Sequence, residues 1–253
     1  MRNALKIPRV DAGFWVTKVL ATALGETSAD FFSEKLGFEL SSTTLFFSGA
    51  LVALLAVEIL LSRLIVPLYW ACVSVMGVAA TLLTDTLTDG HHVPLWISTV
   101  WISVGLAALF AIWYALEGTV SYRSITTHRR EVLYWAVVLG CFALGTAAGD
   151  LVSEALGLGF VQSMLLFAAV FLVIGLMVRL SVIAAPLAFW LAYILPTPLG
   201  TNVADTLTQT REAGGLGFNS GVTSAVLIGA IILLIIGSSR HTDKADDRSL
   251  VTA

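Results

Sequence analysis

The chain has 253 residues, of which 57% are hydrophobic and only 12% charged, with a net charge of −3 and a mean hydropathy of +0.90. Soluble domains of this length are far more polar, and no basic patch of the kind that docks nucleic acid is present. The composition is that of a multi-pass α-helical membrane protein, whose principal partner is the lipid bilayer.

The basic opening, MRNALKIPRV, is not followed by a compact apolar stretch and a small-residue cleavage site, so no removed signal peptide is expected. The first predicted helix carries Phe14-Trp15 and then GETSADFFSE, whose acids Glu26, Asp30 and Glu34 recur every fourth residue and so lie along one helical stripe. An apolar helix, STTLFFSGALVALLAVEI, comes next. The same pair of elements then returns. Aromatic-Trp pairs stand at Phe14-Trp15, Tyr69-Trp70, Tyr134-Trp135 and Phe189-Trp190, with Trp spacings of 55, 65 and 55. Fifteen residues after each Trp stands an aspartate, giving Asp30, Asp85, Asp150 and Asp205 with no gap in any copy. Eleven residues on come Glu26, Thr81, Thr146 and Thr201; nineteen on come Glu34, Asp89, Glu154 and Gln209, each preceded by a hydroxyl, Ser33, Thr88, Ser153 or Thr208.

Each copy therefore reads as a Trp- and acid-bearing helix followed by an apolar one, eight spans in all. The polar connector SYRSITTHRRE, residues 121 to 131, divides the chain into halves, 1–125 and 126–253, of two repeats each. Arg2, Lys6, Arg9, Arg63, Arg123, Arg129, Arg130, Arg179, Arg240, Lys244 and Arg248 fall on one side, and Lys35 and Arg211 on the other. Basic residues accumulate in cytoplasmic loops, so both termini are expected in the cytoplasm of a cell whose inner membrane the chain crosses. With two spans per unit, all four units point the same way, as parallel repeats about a pseudo-symmetry axis along the membrane normal. Inverted-repeat transporters are built otherwise. Pro196 and Pro198, in PTPLGTN, are expected to interrupt the seventh span.

A carboxylate near the bilayer centre costs about 2.5 to 3.5 kcal/mol on insertion scales, so such groups face the interior and mark pathways. Four equivalent aspartates suggest one destination, and like charges that close need protons or a bound cation among them. The expected site is thus a cation site with Asp30, Asp85, Asp150 and Asp205 at its centre. Glu26, Thr81, Thr146 and Thr201 flank it on one side and Glu34, Asp89 and Glu154 on the other. Such oxygen ligands suit hard ions, manganese, magnesium or calcium. The competing readings are aspartates that only fix helix contacts or cap helix ends, and a water-filled vestibule where the acids form an attracting ring. The expected activity is secondary transport of a divalent cation, in exchange for protons. A passive channel with an acidic filter and an organic-cation transporter are the alternatives. The sequence contains no nucleotide-binding loop, Ser-His arrangement or His-Glu metal motif, so no enzyme is expected.

Other residues read less specifically. Lys18, Glu58, Glu117 and Arg179 either snorkel to the interface or form an inner ion-pair gate. The tryptophans either anchor at the interface or pack between repeats. Gly145 and Gly149 allow close helix approach. Gly214, Gly215 and Gly217, after Arg211 and Glu212, mark an ordered outer turn or a mobile gate, and His91 and His92 a solvated loop, peripheral metal ligands or proton sensors. Cys72 and Cys141, in apolar runs, imply neither disulfide nor zinc site.

These motifs resemble a bacterial family of multi-pass membrane proteins built from tandem two-span repeats of unknown function. FWVTKVLATALGETSADFF, REVLYWAVVLGCFALGTAAGDLVSE, AFWLAYILPTPLGTNVADTL and the GGLG turn carry the likeness. The resemblance implies a helical fold of four repeats and brings no activity with it.

Overall fold

The computed structural model describes residues 6–251, with side chains for residues 6–237, and among them every regular element is helical. Arg2 and the side chains of Arg240, Lys244 and Arg248 lie outside the described residues. The α-helices are α1 (Ala12–Asp30), α2 (Leu40–Leu60), α3 (Val66–Asp85), α4 (Leu95–Glu117), α5 (His128–Asp150), α6 (Phe160–Arg179), α7 (Ala185–Ile194), α8 (Pro196–Thr208) and α9 (Ser220–Val251).

Local chemistry sets many of these limits. Asp11 caps α1 by accepting from the Phe14 amide at 3.0 Å, and Thr127 caps α5 by accepting from Arg130 at 3.3 Å. Glycine at 118, with φ +68, closes α4 in the left-handed conformation. The α5 cap falls inside the polar connector, so His128–Glu131 is helix rather than loop. Pro196 and Pro198 lack amide donors, which leaves the carbonyls of Ala192 and Ile194 without their helical partners. α7 and α8 are accordingly two halves of one rod that breaks at Leu195.

Two classes of helix follow from composition. α1, α3, α5 and the α7–α8 rod form a closed inner ring, in which α1 packs on α3, α3 on α5, α5 on α8 and α8 on α1. The apolar helices lie outside it, each against the inner helix of the following unit: α2 on α3, α4 on α5, α6 on α8, and α9 back on α1. Small residues let the inner backbones meet. A Cβ on Gly25 would come 2.6 Å from the Gly77 carbonyl carbon, and one on Gly200 would come 2.7 Å from the Thr22 Cβ; Gly145 lies as tightly against Thr197. In each case the residue ten after one Trp meets the residue seven after the next.

At the other end, aromatic rings close the same circle. Phe14 packs on Trp70 at 5.3 Å, Tyr69 on Trp135 at 5.4 Å, Tyr134 on Trp190 at 5.9 Å and Phe189 on Trp15 at 6.1 Å. The tryptophans thus pack between repeats. Because equivalent residues meet at both ends, all four inner helices run in one direction.

Among the described residues six helical stretches are long and apolar enough to cross a membrane by length and composition: Leu40–Leu60, Val66–Gly90, Leu95–Glu117, His128–Ala155, Phe160–Arg179 and Ser220–Gly237. The expectation of eight is met in part. α1 is diluted by Lys18, Glu26, its threonines and its glycines, and the proline break leaves α7 and α8 each too short.

Candidate cation site

Beyond the small-residue contacts, the inner helices carry the acids in tiers that grade from buried to exposed. In the innermost tier Glu26, Thr81, Thr146 and Thr201 are all buried, and the Thr81 hydroxyl donates to Glu26 Oε2 at 2.9 Å, joining α1 to α3. Thr201 is engaged with its own helix, donating to the Pro198 carbonyl at 3.3 Å. One turn on, Asp30 and Asp205 are buried while Asp85 and Asp150 are half-buried. Asp30 Oδ2 is buried without a hydrogen-bond partner. One turn further, Glu34, Asp89 and Glu154 are exposed. Eight residues, about 12 Å of helix rise, separate the first tier from the last.

The tiers form one electrostatic unit. Asp30 feels Glu26 and Glu34; Asp85 feels Asp30 and Asp89; Asp150 feels Glu26 and Asp85; Asp205 feels Glu26, Asp150 and Asp30; and Glu154 acts on all four aspartates. The convergence of repeats therefore brings every predicted carboxylate into one field. It does not bring them into a closed coordination cage. Among the described residues no three His, Cys, Asp or Glu side chains stand close enough to hold a metal ion directly. The acids thus form an acidic funnel graded in burial, from buried Glu26, Asp30 and Asp205 to exposed Glu34, Asp89 and Glu154.

Several features at this end are new to the structure. One π-helical turn follows the aspartate in three units, Phe31–Lys35, Thr86–Gly90 and Leu151–Ala155, and carries the outermost acid of each. The repeated hydroxyls serve the backbone: Ser33 donates to the Ala29 carbonyl at 2.8 Å, Thr88 to Thr84 at 3.1 Å, Ser153 to Gly149 at 2.9 Å and Thr208 to Ala204 at 3.0 Å. They satisfy acceptors where α-helical bonding gives way. The fourth unit has no π turn; its chain folds back instead, Leu216 and Phe218 donating at 2.8 Å to the Thr206 and Leu207 carbonyls. The GGLG segment is thus an ordered turn, with Gly214 and Gly217 at φ +95 and +74. His91 and His92 are exposed. Within α8, Asn202 and Thr197 are fully buried, and neither Asn202 Oδ1 nor Thr197 Oγ1 has a partner.

The expected inner ion-pair gate is rearranged. Lys6, from the segment before α1, lies buried beside Glu131 of α5 and the Glu58 carbonyl at the end of α2. Glu117 pairs with Arg129 and Arg130 at 2.8 and 2.7 Å, and Arg179 is exposed. Lys18 does not snorkel and takes no part in this network; it is fully buried inside the ring. Above Lys6 the buried Tyr69 and Tyr134 hydroxyls bond at 2.7 Å, with the Tyr193 hydroxyl 3.5 Å from that of Tyr69. A tyrosine before the Trp in the second and third units was the signal for this cluster.

Comparison with known proteins finds one family. Residues 13–63, 133–181 and 188–241, together more than half of the chain, match a family described as Repeat of Unknown Function (DUF347). The three stretches correspond to the first, third and fourth units. No curated protein and no solved structure matches the chain.

Proposed function

Since the chain belongs to the DUF347 repeat family, whose description states no activity, we propose from its site that it is a membrane transporter for a hard divalent cation such as manganese or magnesium. Passage is exchanged for protons on the same acids. The observation that carries this reading is the funnel itself: Glu26, Asp30 and Asp205 are buried, and Asp85 and Asp150 half-buried, on packed inner helices of a bundle whose outer surface is apolar. Carboxylates withdrawn from water at this density are costly without a positive species among them. A small hard ion that keeps part of its water shell suits carboxylates that form no closed ligand cluster among the described residues.

In this reading eight spans cross the bacterial cytoplasmic membrane, with both termini inside and the funnel opening outward. α1 and the α7–α8 rod are the first and seventh spans, covered by outer helices of which only 11 to 22% of the spanning residues are buried, against 56 and 61% for α5 and α3. The halves 1–125 and 126–253 are the duplicated units. The test is calorimetric titration of the purified chain with Mn²⁺, followed by flux into proteoliposomes under an imposed proton gradient. Binding lost in the variant with all four aspartates changed to asparagine, and accumulation of Mn²⁺ against its gradient, are the expected results. Unchanged binding in that variant removes the basis of the reading; binding followed only by equilibration identifies a channel.

A further inference from the structure

One charged residue inside the ring is used by nothing described so far. Counting three residues from each Trp gives Lys18, Val73, Val138 and Tyr193, all fully or almost fully buried. Only the first unit places a charge at this level. The Lys18 ammonium has no hydrogen-bond partner. Instead it lies over two rings, 3.7 Å from the centroid of Phe142 and 4.2 Å from that of Tyr193.

The partners fix its position. α1 and α5 are opposite members of the inner ring, separated by α3 on one side and the α7–α8 rod on the other. The Lys18 ammonium and the Phe142 ring therefore meet inside the ring, where Phe142 itself reaches over to Gly77 of α3. Lys18 precedes Glu26 by eight residues, so along the helix it stands about 12 Å beyond the deepest acid. Past it lie the three tyrosine hydroxyls, the aromatic circle and the buried Lys6 beside Glu131. A buried ammonium without an acceptor is costly, and ring faces repay part of that cost. The aromatic pair holds the charge where polar groups would draw it aside.

We propose that Lys18 is the charge barrier that closes the inner end of the acidic funnel. The funnel concentrates cations, and the ammonium buried inside the ring repels the same ions from the remaining half of the path. Passage then requires the ammonium to move aside, which makes it a gated step of a carrier rather than diffusion through a pore. This deepens the transport reading and rests on it. Two like charges about 6 Å apart at an effective dielectric of about 20 slow passage on the order of a hundredfold.

The experiment measures passive K⁺ efflux from proteoliposomes holding the full chain, with no Mn²⁺ present, for wild type, Lys18→Met and Lys18→Arg. The expected result is a leak raised by about a hundredfold in Lys18→Met, with Lys18→Arg as tight as wild type. Thermal melting of Lys18→Met is expected to match or exceed wild type, because an apolar isostere removes an unpaired buried charge. Should Lys18→Met not fold, Lys18→Gln takes its place in the same assay. A folded Lys18→Met as tight as wild type overturns the barrier, as does failure of both substitutions to fold, which would make the lysine a structural necessity. A wild type that binds no Mn²⁺ defeats the transport reading separately, since the K⁺ leak is read without it.

Discussion

Replacing Gly25 by alanine tests how the ring and the site are connected. The added Cβ would lie 2.6 Å from the Gly77 carbonyl carbon and 2.8 Å from its Cα, and neither is the movable end of a side chain. Relief to an ordinary 3.4 Å contact requires α1 and α3 to separate by about 0.8 Å. Glu26 is the next residue, so the same displacement stretches the 2.9 Å bond from Thr81 to about 3.7 Å, beyond hydrogen-bonding range. Overpacking costs about 1–3 kcal/mol, and a lost bond to a charged group about 1.5–3 kcal/mol. A destabilisation on the order of 3 kcal/mol is expected in reversible unfolding of the purified protein, followed by tryptophan fluorescence. The control is Gly49→Ala on α2, where a Cβ meets nothing within 4 Å. There alanine should be neutral or stabilising by up to about 1 kcal/mol. If Gly25→Ala proves as stable as Gly49→Ala, the close approach of the inner helices is not what holds the ring, and the reasoning fails.

Glu26→Gln keeps an oxygen for the Thr81 hydroxyl while removing a charge from the deepest tier. Mn²⁺ affinity by calorimetry should fall about tenfold or more, roughly 1.4 kcal/mol, with the melting temperature near that of wild type; undiminished affinity would place the ion elsewhere. Lys6→Met withdraws the buried ammonium from Glu131 and the end of α2, and breaking such a pair costs about 3–5 kcal/mol. The loss should appear in thermal unfolding, whereas an unchanged melting temperature would show that the N-terminal segment contributes nothing to the bundle.

The repeated acids, the parallel direction of the first helices and the proline break are all consequences of one-dimensional spacing. A residue fifteen positions after each Trp stays equivalent whatever the copies pack against, and missing amides at 196 and 198 interrupt bonding wherever the segment sits. Hydropathy separated the apolar helices as well, since most of their residues are left unburied by the bundle and are apolar all the same. Spacing says nothing about which unit packs on which. That the outer helix of one unit covers the inner helix of the next, and that the last returns to the first, is decided by shape: glycine at 25, 145 and 200 against Gly77, Thr197 and Thr22, and Phe or Tyr against the following Trp.

The site divides in the same way. Its carboxylates were evident from the sequence because chemistry is carried by residue type. Their depth was not, because burial depends on where the ring narrows. Only the packed helices make Glu26 the innermost acid and leave Glu34, Asp89 and Glu154 at the open end. Lys18 shows the limit most plainly: the same lysine reads as a snorkelling residue on a single helix. It becomes a charge inside the ring only because α5 and α7 present Phe142 and Tyr193 to it.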